Sequence, residues 1–248
     1  MGELKGKVAV VTGASKRIGA GIAKRFGAAG AAVVVNYASS KEGADKVVAE
    51  ITKNGGKAIA VKADVSKAAE VKKLFEETKR AFGKLDVLVN NAGVFRFAPL
   101  EQLSEDEFHR EFNINVLGTL LATREALNHF NGNGSVINLS SVVSKSPIPN
   151  SSVYSATKGA VDTLTVGLSR ELAPRNIRVN VIAPGGVETE GAQEIGMIGS
   201  DFEKQLIAQT PLARLGQPGD IAEVAVFLAS DASRWLTGER ISASGGFR

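Results

Sequence analysis

The sequence predicts an α/β fold, a single doubly wound parallel β-sheet flanked by helices on both faces. Two observations carry this. Short runs rich in Val and Ile alternate with longer helical patterns along the whole chain, the pattern of successive βα units. The runs are apolar at nearly every position, as in VAVV and VLV, so both faces of the sheet are covered. Right-handed crossovers then wind the units onto two sides. A third observation needs an explanation: 27 of 248 residues are Gly, well above the usual share of about 7%.

The elements follow in order. KVAVV is the first strand, broken at once by Thr12-Gly13. Ile18, Ile22, Ala23 and Phe26 recur at helical spacing until Gly30. AVVVN (32–36) is the second strand. Ala44, Val47, Val48 and Ile51 place a helix over 42–53, stopped by Asn54-Gly55-Gly56. Residues 57–64 read as a strand. Val71, Leu74, Phe75 and Phe82 give a helix over 67–82. Residues 86–93 are a strand ending in a turn. A long helical stretch covers 105–130, interrupted by Gly118. Residues 135–141 form a strand, 152–173 a helix ended by Pro174, and 177–186 a strand and turn. A helix over 218–229 precedes the closing RISASGG. No linker, repeat or shift of composition divides the chain, so residues 1–248 read as one domain.

Composition narrows the function. With no Cys, a disulfide scaffold, a thiolate metal site and a cysteine nucleophile are excluded. Hydrophobic residues at 44% and charged residues at 23% are globular proportions and exclude disorder. The net charge of +4 is scattered. It suits a phosphate-bearing small molecule better than nucleic acid, which asks for a basic stripe. No apolar stretch is long enough to span a membrane, and the first apolar run is too short for a signal peptide. A cytoplasmic enzyme is expected. His109 and His129 lack ligand spacing, so no metal is expected.

In a doubly wound sheet, ligands bind beyond the carboxyl ends of the strands. Thr12-Gly13-Ala14-Ser15-Lys16-Arg17-Ile18-Gly19 follows the first strand. A Gly-rich turn opening a helix brings backbone N–H groups to a pyrophosphate, although a tight turn without a ligand reads alike. Asn90-Asn91-Ala92-Gly93 ends the fourth strand; its small residues admit a flat ligand, or simply make a turn. Tyr154 and Lys158 stand at i and i+4, on one helix face. An ammonium beside a phenol favours the phenolate and lowers its pKa. Such a Tyr can exchange a proton with a carbonyl or alcohol. An isolated Tyr–Lys pair is more often a solvated surface pair. Here, however, Ser140-Ser141 end the preceding strand, Ser141 thirteen residues before Tyr154.

The set TGASKRIG, NNAG, the strand-end Ser, YSATK and VNVIAPGGVET resembles the short-chain dehydrogenase/reductase family, over about residues 5–246. The resemblance implies a Rossmann-type fold and hydride transfer from a nicotinamide cofactor. It implies that Tyr154 is the acid/base and that Lys158 lowers its pKa and holds the nicotinamide ribose. Ser141 would bond the substrate oxygen, and Asn115 would support a proton-relaying water. Gly13, Ser15, Arg17, Ile18 and Gly19 would line the phosphates. Asp64 and Val65 would hold the adenine. Asn91, Ala92 and Gly93 would pack near the ribose and nicotinamide, and Pro184, Gly185, Val187 and Thr189 would wrap the amide. A homotetramer through the helices at about 105–130 and 152–173 is also implied.

Two residues depart from the family pattern. Arg17 stands where the phosphate loop usually has Gly, as in the pteridine reductases. Those, however, carry Asp where this chain has Ser141. Ser244 replaces the Asp of a C-terminal Asp-Gly-Gly.

Cofactor choice is argued from charge. An acidic residue ending the second strand selects NAD by binding both ribose hydroxyls. This chain has Asn36 there, followed by Ser39 and Ser40, with Lys16 in the phosphate loop. NADP (NADPH) is therefore favoured, with NAD possible. The expected substrate is a small carbonyl compound, in a reductase of carbonyl or 3-oxoacyl type. Sugar or polyol dehydrogenases and naphthol- or pteridine-type reductases are alternatives. A non-catalytic dinucleotide sensor is the alternative from another class. Of two basic positions that mark carrier-protein docking, Arg175 matches and Gly132 does not, which argues against an acyl-carrier-protein partner. Gly191, Gly196 and Gly199 suggest a mobile lid over residues 190–210. Phe95 and Phe97 either line the substrate pocket or pack. Trp235 reads as core or interface.

Overall fold

The computed structural model describes residues 2–189 and 199–247. Seven parallel strands form one sheet in the order β3-β2-β1-β4-β5-β6-β7. They are β1 (Val8–Val11), β2 (Ala32–Tyr37), β3 (Lys57–Lys62), β4 (Leu85–Asn90), β5 (Phe130–Leu139), β6 (Ile177–Pro184) and β7 (Arg240–Ala243). β1 pairs with β2 on one side (Val8↔Ala32) and β4 on the other (Ala9↔Val87). The chain reverses its winding between these two neighbours, so a crevice opens beyond β1 and β4.

The helices are α1 (Arg17–Ala28), α2 (Lys41–Lys53), α3 (Ala68–Phe82), α4 (Glu105–Phe112), α5 (Gly118–Ala126), α6 (Ser152–Leu172), α7 (Asp201–Ala208) and α8 (Pro218–Ala229). The covered strands explain their continuous apolarity. Val33, Val35 and Val87 pack with α1, α2 and α8 on one face. Val10, Val34, Leu88 and Val136 pack with α3, α5 and the end of α6 on the other. The alternation in strand pleat sends neighbouring valines to opposite layers.

One expectation is corrected and another narrowed. The stretch 105–130 is not one helix. A π-helical turn over Asn113–Leu117 separates α4 from α5. The break thus falls before Gly118, whose absent Cβ lets the backbone close on Val65 Cγ2, 2.7 Å from where a Cβ would stand. The helix stops at Ala126, and Phe130 instead pairs with Leu85 of β4. Tertiary pairing here overrides a helical pattern. Trp235 is 94% exposed, so it is not core. Within the expected lid, residues 190–198 lie outside the described residues, and 201–208 form α7, whose N-cap Ser200 accepts from Glu203 N. No helix among the described residues is long and apolar enough to cross a membrane.

Candidate active site

The Gly-rich turn after β1 is held by three strand ends. Thr12 Oγ1 accepts from Asn91 N and Ala92 N, each at 3.0 Å. Asn91 Nδ2 donates to Thr12 O at 2.8 Å and Gly13 O at 3.1 Å. Asn36 Oδ1 accepts from Gly13 N at 3.1 Å, while its Nδ2 donates to Ala63 O at 3.0 Å. Gly13 has φ +61, and a Cβ there would lie 2.8 Å from Ala92 Cα. Only glycine meets both demands. The turn leads directly into α1, whose N-terminal N–H groups favour an anion.

Arg17 also adopts a left-handed backbone, φ 58. The family's Gly suits that conformation; an Arg holds it at a cost of about 1 kcal/mol. This is the structural meaning of the departure seen in the sequence.

A cleft of about 360 Å³ runs along these turns. Gly13, Ser15, Lys16, Arg17, Ile18, Gly19, Asn36, Asp64, Val65, Asn91, Ala92, Gly93, Pro184 and Thr189 line it, with Ser39 at the rim beside Ala38 and Ser40. Gly185 and Val187 instead border an adjoining cavity, together with Ser141. The residues fit a dinucleotide. A Cβ on Gly93 would stand 3.3 Å from Asn115 Oδ1 and 3.6 Å from Lys158 Nζ, so the missing side chain keeps open the space that a ribose and nicotinamide need. Asn36 differs from expectation. It is 1% exposed and its amide is committed to Gly13, Val61 and Ala63. It shapes the loop rather than presenting a free group to a ribose.

The four residues proposed for chemistry come together around the carboxyl ends of β4 and β5. Asn115 sits in the π turn, 1% exposed. It donates to Val94 O at 2.8 Å and Thr157 Oγ1 at 3.0 Å and accepts from Val94 N at 2.8 Å. Its side chain thereby ties the loop after β4 to α6. Lys158 Nζ donates to Leu139 O at 2.8 Å and lies 5.5 Å from the centre of the Tyr154 ring.

Burial pushes the Tyr154 phenol up to about 12; a hydrogen bond with the Ser141 hydroxyl pulls it partly back, and the Glu111 charge adds to the rise. Burial pushes Lys158 down to about 8, against the charges of Asp162 and Glu111. At Tyr154 desolvation is the largest influence, and it favours the neutral phenol. The result is a phenol held protonated, which suits it to give a proton.

Groups not foreseen in the sequence complete the surroundings. Arg240 of β7 donates to Ser141 O at 3.1 Å, Ser144 Oγ at 3.1 Å and Asp162 Oδ2 at 2.9 Å. It therefore anchors the strand end that carries Ser141. Glu111, 0% exposed, accepts from Arg96 N at 2.7 Å, and burial raises its pKa. Ser244 Oγ donates to Phe247 O at 2.9 Å, which turns Phe247 back against Val142 and Val143. That turn accounts for the Ser at this position. The only sequence signal for Arg240 and Phe247 was their place beside the C-terminal glycines; Glu111 had none.

Comparison with known proteins agrees with this geometry. A family model described as enoyl-(acyl carrier protein) reductase matches residues 13–248. An uncharacterized oxidoreductase of Methylorubrum extorquens is 59% identical over 100% of both chains. The chain belongs to the short-chain dehydrogenase/reductase family. As a member it is an NAD(P)-dependent oxidoreductase. Versicolorin reductase of Emericella nidulans is 41% identical, covering 98% of this chain and 96% of its own. A short-chain dehydrogenase of Burkholderia cenocepacia, solved in complex with NADP, superposes with a TM-score of 0.92 at 35% identity over 98% of each chain.

Proposed function

We propose that this dehydrogenase/reductase reduces a ketone to a secondary alcohol with NADPH. The observation that carries this is the placing of the half-buried Tyr154 phenol, hydrogen-bonded to Ser141 and lining the cofactor cleft beside Lys158. A protonated phenol placed there can give a proton to a carbonyl oxygen that gains negative charge. Ser141 orients the oxygen, and Tyr154 transfers its proton. Lys158, charged below about 8, stabilises the phenolate left behind. Asn115 holds the loop and helix in register. Gly93 leaves room beside Lys158.

Lys16, Ser39 and Ser40 at the cleft rim would hold a 2′-phosphate, and no carboxylate stands at position 36 or 38 to repel it. The Burkholderia cenocepacia relative binds NADP, and versicolorin reductase is a reductase by name. Bound in the cleft, the reduced nicotinamide supplies a hydride to the carbonyl carbon. Leu117 and Val166 are 40% and 41% exposed on the helical layer, which supports a homotetramer joined through α5 and α6.

The test is NADPH oxidation with a ketone panel. Tyr154→Phe is expected to lower kcat by about 10²–10⁴-fold while NADPH still binds. A near wild-type rate in Tyr154→Phe would falsify the assignment. NADPH binding with no turnover of any ketone would make the protein a sensor instead.

A further inference from the structure

Granted the ketoreductase reading, we propose that the substrate is an uncharged, planar aryl ketone of two or three fused rings. The cavity beside the cofactor cleft has a volume of about 390 Å³. An apolar cavity of roughly 150 Å³ holds one benzene ring, so a bicyclic or tricyclic skeleton fits with its carbonyl at the end formed by Ser141 and Tyr154.

That end is walled by aromatic rings. Phe95 lies 5.6 Å from Tyr154 and Phe97 lies 6.1 Å from it, ring centre to ring centre, and the two phenylalanines are 5.2 Å apart. Phe247, with Val142 and Val143, packs onto Tyr154 as well. The reacting hydroxyls of Ser141 and Tyr154 therefore sit beside apolar ring surfaces. Phe97 and Phe202 are 41% and 43% exposed where they border this cavity. Uncovered rings of this size favour a flat apolar ligand, through area removed from water and through stacking.

The described lining favours this class over its competitors. Among the described residues lining the cavity there is no Asp, Glu, Lys, Arg or His. An acyl group carried on a phosphorylated arm would need cations, and Arg175 is engaged with Leu127 O at 2.6 Å. A sugar would need a hydrogen-bond partner for each hydroxyl. Beyond Ser141 and Tyr154, the polar side chains here are Thr189, Gln205 and Gln209. One polar end and an apolar body match a ketone on an aromatic skeleton. In turnover the carbonyl carbon takes the hydride and the oxygen takes the Tyr154 proton. Bound NADPH would supply the two electrons as that hydride, and Tyr154 would regain its proton from water.

The experiment compares 1-tetralone, ethyl acetoacetate and acetoacetyl-coenzyme A with NADPH. Expected is a kcat/KM for 1-tetralone at least about tenfold above the other two. Phe97→Ala should cost 1-tetralone about tenfold, the worth of one aromatic contact, and leave ethyl acetoacetate within about twofold. Phe97→Tyr, which keeps the ring, should preserve the 1-tetralone rate. Faster turnover of either acetoacetyl compound overturns the substrate class, as does an equal loss for both ketones in Phe97→Ala. In either case the ketoreductase reading stands if Tyr154→Phe abolishes the turnover. No NADPH oxidation with any of the three overturns that reading itself.

Discussion

Lys158 Nζ lies 5.5 Å from the centre of the Tyr154 ring, and burial has moved the two groups apart on the pH scale, the phenol up to about 12 and the ammonium down to about 8. Reduction consumes a phenol proton and leaves a phenolate that the ammonium stabilises. The phenol stays protonated through the usual range, so Lys158 sets the alkaline limit. As pH rises through about 8, Lys158 loses its charge and kcat for reduction is expected to fall. Lys158→Arg, which remains charged, should remove that limb even at a lower overall rate. A wild-type profile flat through about pH 8 would show that the charge on Lys158 is not used.

Glu111 tunes the same pair. Its charge raises both Tyr154 and Lys158; Asp162 acts on Lys158 in the same direction. Glu107, Arg110 and Arg96 are the other charged groups around it. Glu111→Gln keeps an acceptor for Arg96 N and removes the charge. The alkaline limb of kcat should then shift to lower pH. Lower thermal stability with an unmoved limb would make Glu111 purely structural.

Cofactor preference should respond at Ala38 rather than at Asn36. Ala38 is exposed in the cleft beside Ser39. A carboxylate from Ala38→Asp would face a 2′-phosphate with like charge, and the NADP/NAD ratio of kcat/KM should fall by about tenfold or more. Lys16→Ala should raise the KM for NADPH about tenfold with little change for NADH. Asn36→Asp would break the donated bonds to Val61 O and Ala63 O, at a cost of about 1–3 kcal/mol in stability. Unchanged cofactor ratios in both Ala38→Asp and Lys16→Ala would refute the NADPH preference.

Arg240 has a positioning role that its distance in sequence conceals. Arg240→Ala leaves Asp162, 17% exposed at its side chain, without its cation and frees Ser141 O. A loss of about 2 kcal/mol in unfolding free energy should accompany a lower kcat at near-constant NADPH affinity. Arg240→Lys restores the charge without the forked geometry and should recover stability more than kcat. Full activity in Arg240→Ala would remove Arg240 from the positioning of Ser141.

Much of this was legible in the sequence because it is local. Continuous apolar runs such as Val8–Val11 identify strands covered on both faces. Tyr154 and Lys158 meet because four residues make about one helical turn. What escaped is set by distant pairing. The end of α5 depends on Phe130 meeting Leu85 of β4, and nothing between residues 113 and 117 marks a π turn. Phe202 and Phe247 reach the cavity only through tertiary packing. The rise in the Tyr154 pKa escaped for the same reason: spacing reveals the neighbouring ammonium, but desolvation depends on the whole surrounding fold.

The position of β1 between β2 and β4 bears on how the molecule is made. Val11 pairs with Val35 and also with Val89. A growing chain can therefore zip β1 to β2 early, while the other edge of β1 stays open until β4 has left the ribosome. Non-local pairing of this kind slows folding and leaves an apolar strand edge open to other chains. The same arrangement that opens the cofactor crevice thus makes the sheet grow from β4 onward on one side only, β4, β5, β6 and β7 each covering the edge left by the strand before it.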